Sequence, residues 1–314
     1  MLACQSISCS NQTYSQKSGN FAANFAVRVA GCLFAASLIA VTSTPAHAQE
    51  WICGPDFGSA KIDVANADGV VAGARGGDLP VMPVRMARFD AVDALITAAQ
   101  ADILWRLADI AFVPEFENAA LVLMKGTANT ITGLVAYGQN PDFAGRHVAD
   151  MQDNAGGLWQ EKLLEQGLVI LLPEGDRPID TLIKAEQSAM TQQAGLWASS
   201  QNPAYHYAGS SGLAGDLPDA AQAIGRFAVI DGILERIEDR EWRSYLNFGS
   251  NWRDDFTVMI DRDRRNVIAA TGQHMEDWIG RKIRVRGLIE DRGGPYLELA
   301  NPASLCVEQS VGQP

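Results

Sequence analysis

Apolar and polar positions divide the chain into two patterned stretches with a looser one between them. Alternation along Ala60–Val64 and along Pro80–Met86 predicts strands, with turns at Asp68-Gly69 and through 72–79. From Asp93 to Phe112 the spacing of Ala94, Leu95, Ala98, Ile103, Leu104, Leu107 and Ile110 fits a helical period. Strands are predicted at Leu121–Gly126 and Thr130–Tyr137, then helices at Gly157–Gln166 and Pro178–Leu196, the latter stopped by Gly195. Residues 200–224, with Pro203, Gly209-Ser210-Ser211-Gly212 and Pro218, read as a linker with a short helix at Asp219–Ile224. Beyond it the pattern is strand-like at Phe227–Leu234, Arg243–Phe248, Phe256–Ile260, Lys282–Leu288 and Tyr296–Leu299, with a helical insert near Asn266–Ile279. Five strands and one insert predict a small barrel of oligonucleotide/oligosaccharide-binding (OB) type for 225–308, followed by a tail at 309–314.

The first 48 residues have a different character. Lys17 and Arg28 are their only charged side chains, and an apolar run of roughly 13 residues follows from Val29 to Val41, too short for a permanent span. Ala46-His47-Ala48 then supplies an A-x-A site, so residues 1–48 read as a cleavable signal peptide, the alternative being a membrane anchor. The expectation is an exported protein, periplasmic or secreted, without stable membrane insertion after cleavage. All 37 acidic residues lie beyond residue 48 and only two of the 25 basic ones precede it, so the remainder carries −14. That field opposes a phosphate backbone, and contact with DNA or RNA would need a local patch. Cys53 and Cys306 remain after the leader. An even pair in an oxidising compartment favours a disulfide, against two separately buried thiols.

Four short motifs, in order, resemble the staphylococcal nuclease (thermonuclease) family across 51–199. Val84-Arg85-Met86-Ala87-Arg88-Phe89-Asp90-Ala91-Val92-Asp93 is similar to its VRLAGIDAPE strand, and Asp142-Phe143-Ala144-Gly145-Arg146 to its DRYGR turn. Trp159 to Leu168 resembles the helix ending in QGLA, and Ala185-Glu186 through Gly195-Leu196-Trp197 resembles the closing AE-x2-A…GLW. The resemblance implies a mainly β architecture with packed helices (α+β): an N-terminal OB barrel, then the second OB-like barrel. It also implies phosphodiester hydrolysis with calcium, in which guanidiniums and a cation stabilise the charge gained by phosphorus and a carboxylate orients water. Carried over by position, Arg85 and Arg146 are the two arginines, Asp90 a metal ligand and Asp93 the catalytic carboxylate. Asp93 stands where the family has glutamate, and a retraction of about 1 Å costs roughly 100-fold in rate. Val70 stands where the family has its second metal-ligating aspartate, and valine offers a hard cation no oxygen, which makes calcium doubtful. Phe143 and Ala144 replace a basic residue and a tyrosine. The alternative for both arginines is an ordinary salt-bridged surface role.

Other chemistries lack their motifs. His147, His206 and His274 show no zinc spacing, the two remaining cysteines are far apart, and no P-loop or nucleophile elbow is present. The segment 245–258 resembles a C-terminal extension of some bacterial thermonuclease-like proteins. Its Tyr245, Phe248, Trp252 and Phe256, near Arg243 and Arg253, fit either base stacking or a small β core. Arg262, Arg264, Arg265, Arg281, Lys282, Arg284 and Arg286 make this block the more basic one. The competing expectation for the whole chain is a non-catalytic OB-fold binding or scaffold protein of the cell envelope, with its protein partners unspecified.

Overall fold

Strands dominate among the described residues, and many of them are buried along contiguous runs, as in β-sheet cores covered on both faces. The computed structural model describes residues 51–54, 82–84, 86–91, 94–97, 100–127, 132–138, 140–153, 155–175, 177–198, 204–210, 217–251 and 255–309, which belong to one compact unit. The chain begins with β1 (Trp51–Cys53), β2 (Met82–Val84), β3 (Met86–Ala91), β4 (Ala94–Thr97), β5 (Gln100–Leu107) and β6 (Ile110–Phe112). Then come α1 (Glu117–Thr127), β7 (Thr132–Tyr137), β8 (Arg146–Gln152), α2 (Trp159–Glu165), β9 (Val169–Leu171) and α3 (Asp180–Gln192). The remainder runs β10 (His206–Ala208), β11 (Phe227–Ile233), β12 (Arg236–Asp239), β13 (Arg243–Asn247), β14 (Thr257–Asp261) and α4 (Arg262–Ala270). It ends with β15 (Lys282–Leu288), β16 (Glu290–Asp291), β17 (Pro295–Glu298) and β18 (Leu305–Glu308). The protein is therefore mixed α+β, with four α-helices among mostly strands in the described residues.

The described residues form four sheets. The first has the order β2-β7-β8-β5-β4-β3, with β5 and β8 parallel and the chain passing through α1 between them. In the C-terminal part the orders are β1-β18-β15-β11-β10 and β12-β13-β14-β17-β16, and β6 pairs with β9. Here too one central pair is parallel, β14 with β17, and α4 follows β14 directly.

Two segments differ from their expected type. The helix expected over Asp93–Phe112 is instead β4, β5 and β6. Buried Trp105 and Leu107 alternate with outward Arg106, and Leu95 pairs with Trp105 across the sheet, so a period of two fits the burial better than 3.6. The strand expected over Leu121–Gly126 lies within α1. Ala120 and Met124, four apart, are buried while Val122 stands 72% exposed, which is a helical face. A short apolar run does not distinguish the two by itself. Within the stretch expected to link, β10 pairs in parallel with β11 and buries Tyr207. The helical insert expected over Asn266–Ile279 is α4 plus a separate 3-10 turn at Met275–Trp278. The strand expected at Ala60–Val64 lies outside the described residues.

Gly167 and Gly195, both with positive φ, close α2 and the turn after α3 against each other. Leu196 N–H donates to the Gly167 carbonyl at 2.9 Å, and a Cβ on Gly195 would sit 2.2 Å from that oxygen. This approach drives Leu196 and Trp197 into a cluster with Val113, Ile170, Ala189 and Val229. Helix ending and core filling are thus one event.

Arg284 and Arg286, two of the residues that make the C-terminal block the more basic one, are buried. Arg284 grips Asp231 with Nε and Nη2 at 2.7 and 2.8 Å and donates Nη1 to Gln187 of α3 at 2.6 Å. Burial alone would raise the Asp231 carboxyl, but the Arg284 guanidinium, with His206 beside it, holds it well below the ordinary range. Arg286 pairs with Glu186 of α3, with Nε at 3.0 Å. A disulfide joins Cys53 of β1 to Cys306 of β18.

Candidate functional site

The turn between β7 and β8 shows why its residues occur in that order. Asp142 Oδ1 accepts the Ala144 and Arg146 backbone N–H groups, both at 2.9 Å, and Gly145 takes φ 77° and donates to the Asp142 carbonyl. An aspartate that caps its own turn, a glycine for the left-handed step and an arginine re-entering the sheet satisfy the backbone locally. Phe143, at the tip, is fully exposed.

Arg146 starts β8 opposite Leu104 of β5. Its Nε and Nη2 lie 3.0 and 2.9 Å from Asp142 Oδ2. The same oxygen accepts from Arg106 Nε at 3.1 Å, and Arg106 Nη1 donates to both Glu174 oxygens at 2.9 and 2.8 Å. Two guanidiniums thus face two carboxylates. Partial burial pushes the Asp142 carboxyl up, but the Arg146 N–H and guanidinium and the Ala144 N–H outweigh it and lower its pKa to about 2.

A depressed carboxylate stabilises the fold fully above its unfolded value near 4, and that contribution is lost as pH falls toward 2. Asp142→Asn is therefore expected to lose stability at neutral pH and to show a flatter melting-temperature profile than the parent between pH 4 and 2. Parallel acid limbs in thermal melts of the two proteins would contradict this.

Beside this cluster, Asp109 adopts φ 58° and accepts from Glu174 N–H at 2.8 Å and Arg177 Nη2 at 2.7 Å. Arg177 stacks over Tyr137 at 4.0 Å, and the Tyr137 hydroxyl donates at 2.6 Å to buried Asp150, which also accepts from Gln160 Nε2 at 2.6 Å. The segment after β9 is thereby tied to the face carrying Arg106. Sequence reasoning missed Arg106, Glu174, Asp109 and Arg177. The available signal was a lone arginine inside the apolar run Ile103–Leu107.

Of the residues carried over from the resemblance, Arg146 is placed as above and Asp90 lies on β3, three strands from β8 in the sheet order. Arg85, Asp93 and Val70 lie outside the described residues. Among the described residues no group of three or more His, Cys, Asp or Glu side chains is placed to hold a metal ion. Asp90 with Val70 supplies one carboxylate where calcium takes six to eight oxygens, so the donor set does not fit, and no step is routed through a cation. In the C-terminal part, Phe248 and Phe256 are buried 5.3 Å apart and belong to the core; Trp252 and Arg253 lie outside the described residues.

No family model matches the chain, and no curated protein matches it. Among the described residues no helix is long and apolar enough to cross a membrane.

Proposed function

We propose that this is an exported, thermonuclease-like protein of two OB-type barrels whose first half engages nucleic-acid phosphodiesters through Arg85 and Arg146 and hydrolyses them weakly. The carrying observation is the strand order of the first sheet. Its two edges, β2 and β3, are consecutive in the chain and flank residue 85 alone. Cα atoms two residues apart are separated by at most about 7 Å, whereas the edges of a flat six-stranded sheet stand about 24 Å apart. A curled sheet reconciles the two distances, which supports the barrel reading. It also puts Asp90, on β3, on the strand that enters through residue 85. In the C-terminal part β12 follows β11 after two residues and β16 follows β15 after one, so two strands continue from one sheet into the other, as neighbours in the first and at opposite edges of the second. Export is supported by the leader pattern and by the Cys53–Cys306 disulfide, a bond that oxidising compartments maintain.

In this reading Arg85 and Arg146 neutralise a phosphodiester, and Asp93 orients water from a retracted position. The second reading, a non-catalytic binding or scaffold protein, is favoured by the pairing of Arg106 and Arg146 with Asp142 and Glu174, which leaves that cluster no excess positive charge. A fluorescently labelled single-stranded oligonucleotide, followed by anisotropy and by gel with calcium or with chelator, separates the two. The expected result is slow cleavage that chelator leaves unchanged in the parent, binding reduced several-fold by Arg146→Ala, and faster, calcium-dependent turnover in the Val70→Asp, Asp93→Glu double variant. Neither binding nor cleavage in any of these proteins would leave the scaffold reading.

A further inference from the structure

We propose that the cleft between the β12–β13 turn and α4 binds a neutral saccharide, with Trp242 as its stacking face. The argument is independent of the phosphodiester reading, which concerns the other half of the chain. Trp242, Asp261, Arg262, Asp263 and Asn266 line an open cleft of about 480 Å³, within the range of small-ligand sites. Trp242 is 60% exposed, the second most exposed aromatic among the described residues after Phe143.

This tryptophan is held in place. Arg265 of α4 donates Nη1 and Nη2 to the carbonyls of Arg240 and Glu241, both at 3.2 Å, and Arg262 N–H donates to the Trp242 carbonyl at 3.0 Å. Arg240 N–H closes the turn on the Arg243 carbonyl at 2.8 Å. Hydrogen bonds on both sides of the residue immobilise the turn, so a ligand meets an aromatic surface whose backbone is already ordered. An exposed tryptophan contributes little to the core, and an immobilised turn could present a polar residue as easily.

The polar lining selects the guest. Asp261 is already committed, capping α4 through Arg264 N–H at 2.8 Å and pairing with the Arg264 guanidinium. Arg262 stacks on the indole with its guanidinium carbon 5.1 Å from the ring centroid, which leaves its N–H groups at the rim. Asp263 and Asn266 are both exposed there. The uncommitted charges, Arg262 and Asp263, cancel. The wider turn and helix N-terminal half also balance, with Arg240, Arg243, Arg262, Arg264 and Arg265 against Glu238, Asp239, Glu241, Asp261 and Asp263. A polyanion gains nothing from such a patch and is repelled by the chain's net −12. A pyranose fits: one C–H face lies on an aromatic ring, and its hydroxyls, each donor and acceptor, meet a carboxylate, an amide and a guanidinium together.

The test is an array of neutral oligosaccharides probed with the full protein, followed by calorimetry on each positive sugar and, in parallel, on an oligothymidylate of similar length. The expected result is at least one neutral sugar bound with a Kd of about 1 mM or tighter. Trp242→Ala should weaken that binding by about tenfold or more, Trp242→Phe should keep most of it, and Asn266→Ala should weaken it several-fold. All three variants are at exposed positions and should melt with the parent. The proposal is overturned if no neutral sugar binds, if Trp242→Ala binds the sugar as tightly as the parent, or if the oligothymidylate binds in preference with a steep salt dependence.

Discussion

Glu186→Gln is expected to destabilise the protein by about 3–5 kcal/mol, read as the shift in a urea or thermal unfolding curve. Glu186 and Arg286 have side-chain exposures of 0% and 1%, so the pair is out of water altogether. Removing one charge leaves the other buried without its counter-charge, and that penalty exceeds whatever the intact pair contributes over an apolar substitute. The second Glu186 oxygen also accepts Leu171 N–H at 3.2 Å, so the carboxylate ties α3 to β9 as well as to β15. The contrast is Glu238→Gln, which breaks a pair with Arg240 at exposed positions and should change stability by less than about 1 kcal/mol. A similar small shift for Glu186→Gln would mean that water reaches the pair in solution.

Replacing both cysteines by serine should cost about 4–5 kcal/mol, because the bond between Cys53 and Cys306 closes a loop spanning 253 positions, and the loss in the unfolded chain grows with loop length. The local consequence is sharper than the global one. β1 has three residues, pairs only with β18 at the end of its sheet, and holds Trp51 beneath the Arg284 guanidinium at 4.4 Å. Without the bond, its amides should exchange with deuterium well before those of β11 and β15, which lie inside the sheet. Equal protection of β1 in the oxidised and serine proteins, with unchanged unfolding midpoints, would contradict this.

The strands of the second half were legible from short apolar runs bounded by glycine or charged turns, alternating with polar residues in β15 and continuous in β14. α2 and α3 were legible from apolar spacing, and α2 also from its glycine stop at Gly167; α3, expected to run to Leu196 and stop at Gly195, ends instead at Gln192 with left-handed Gln193 as its cap. The stretch from Ala94 to Phe112 misled because seven of its apolar residues also satisfy a helical period, and only the partner strands β3 and β8 decide between the two. Arg284 and Arg286 misled for a related reason: their partners, Asp231 and Glu186, lie 53 and 100 positions away, so sequence shows the charge and hides the neutralisation. The Asp142–Arg146 turn was legible as a motif, since its chemistry is local. Arg106 reaches Asp142 across 36 positions and Glu174 reaches Arg106 across 68, so beyond the lone arginine in its apolar run the sequence shows neither pairing.

The β1–β18 pair also sets how the molecule responds to tension. Trp51 faces Glu308 and Cys53 faces Cys306 in antiparallel register, so pulling outward on the chain before Trp51 and after Glu308 loads these hydrogen bonds one after another, as in a zipper. The opening would halt at the third residue pair, where a covalent bond replaces the next weak one. With the sulfurs reduced, the same pull would peel β1 away and then strip β18 from β15, leaving the sheet interior bare.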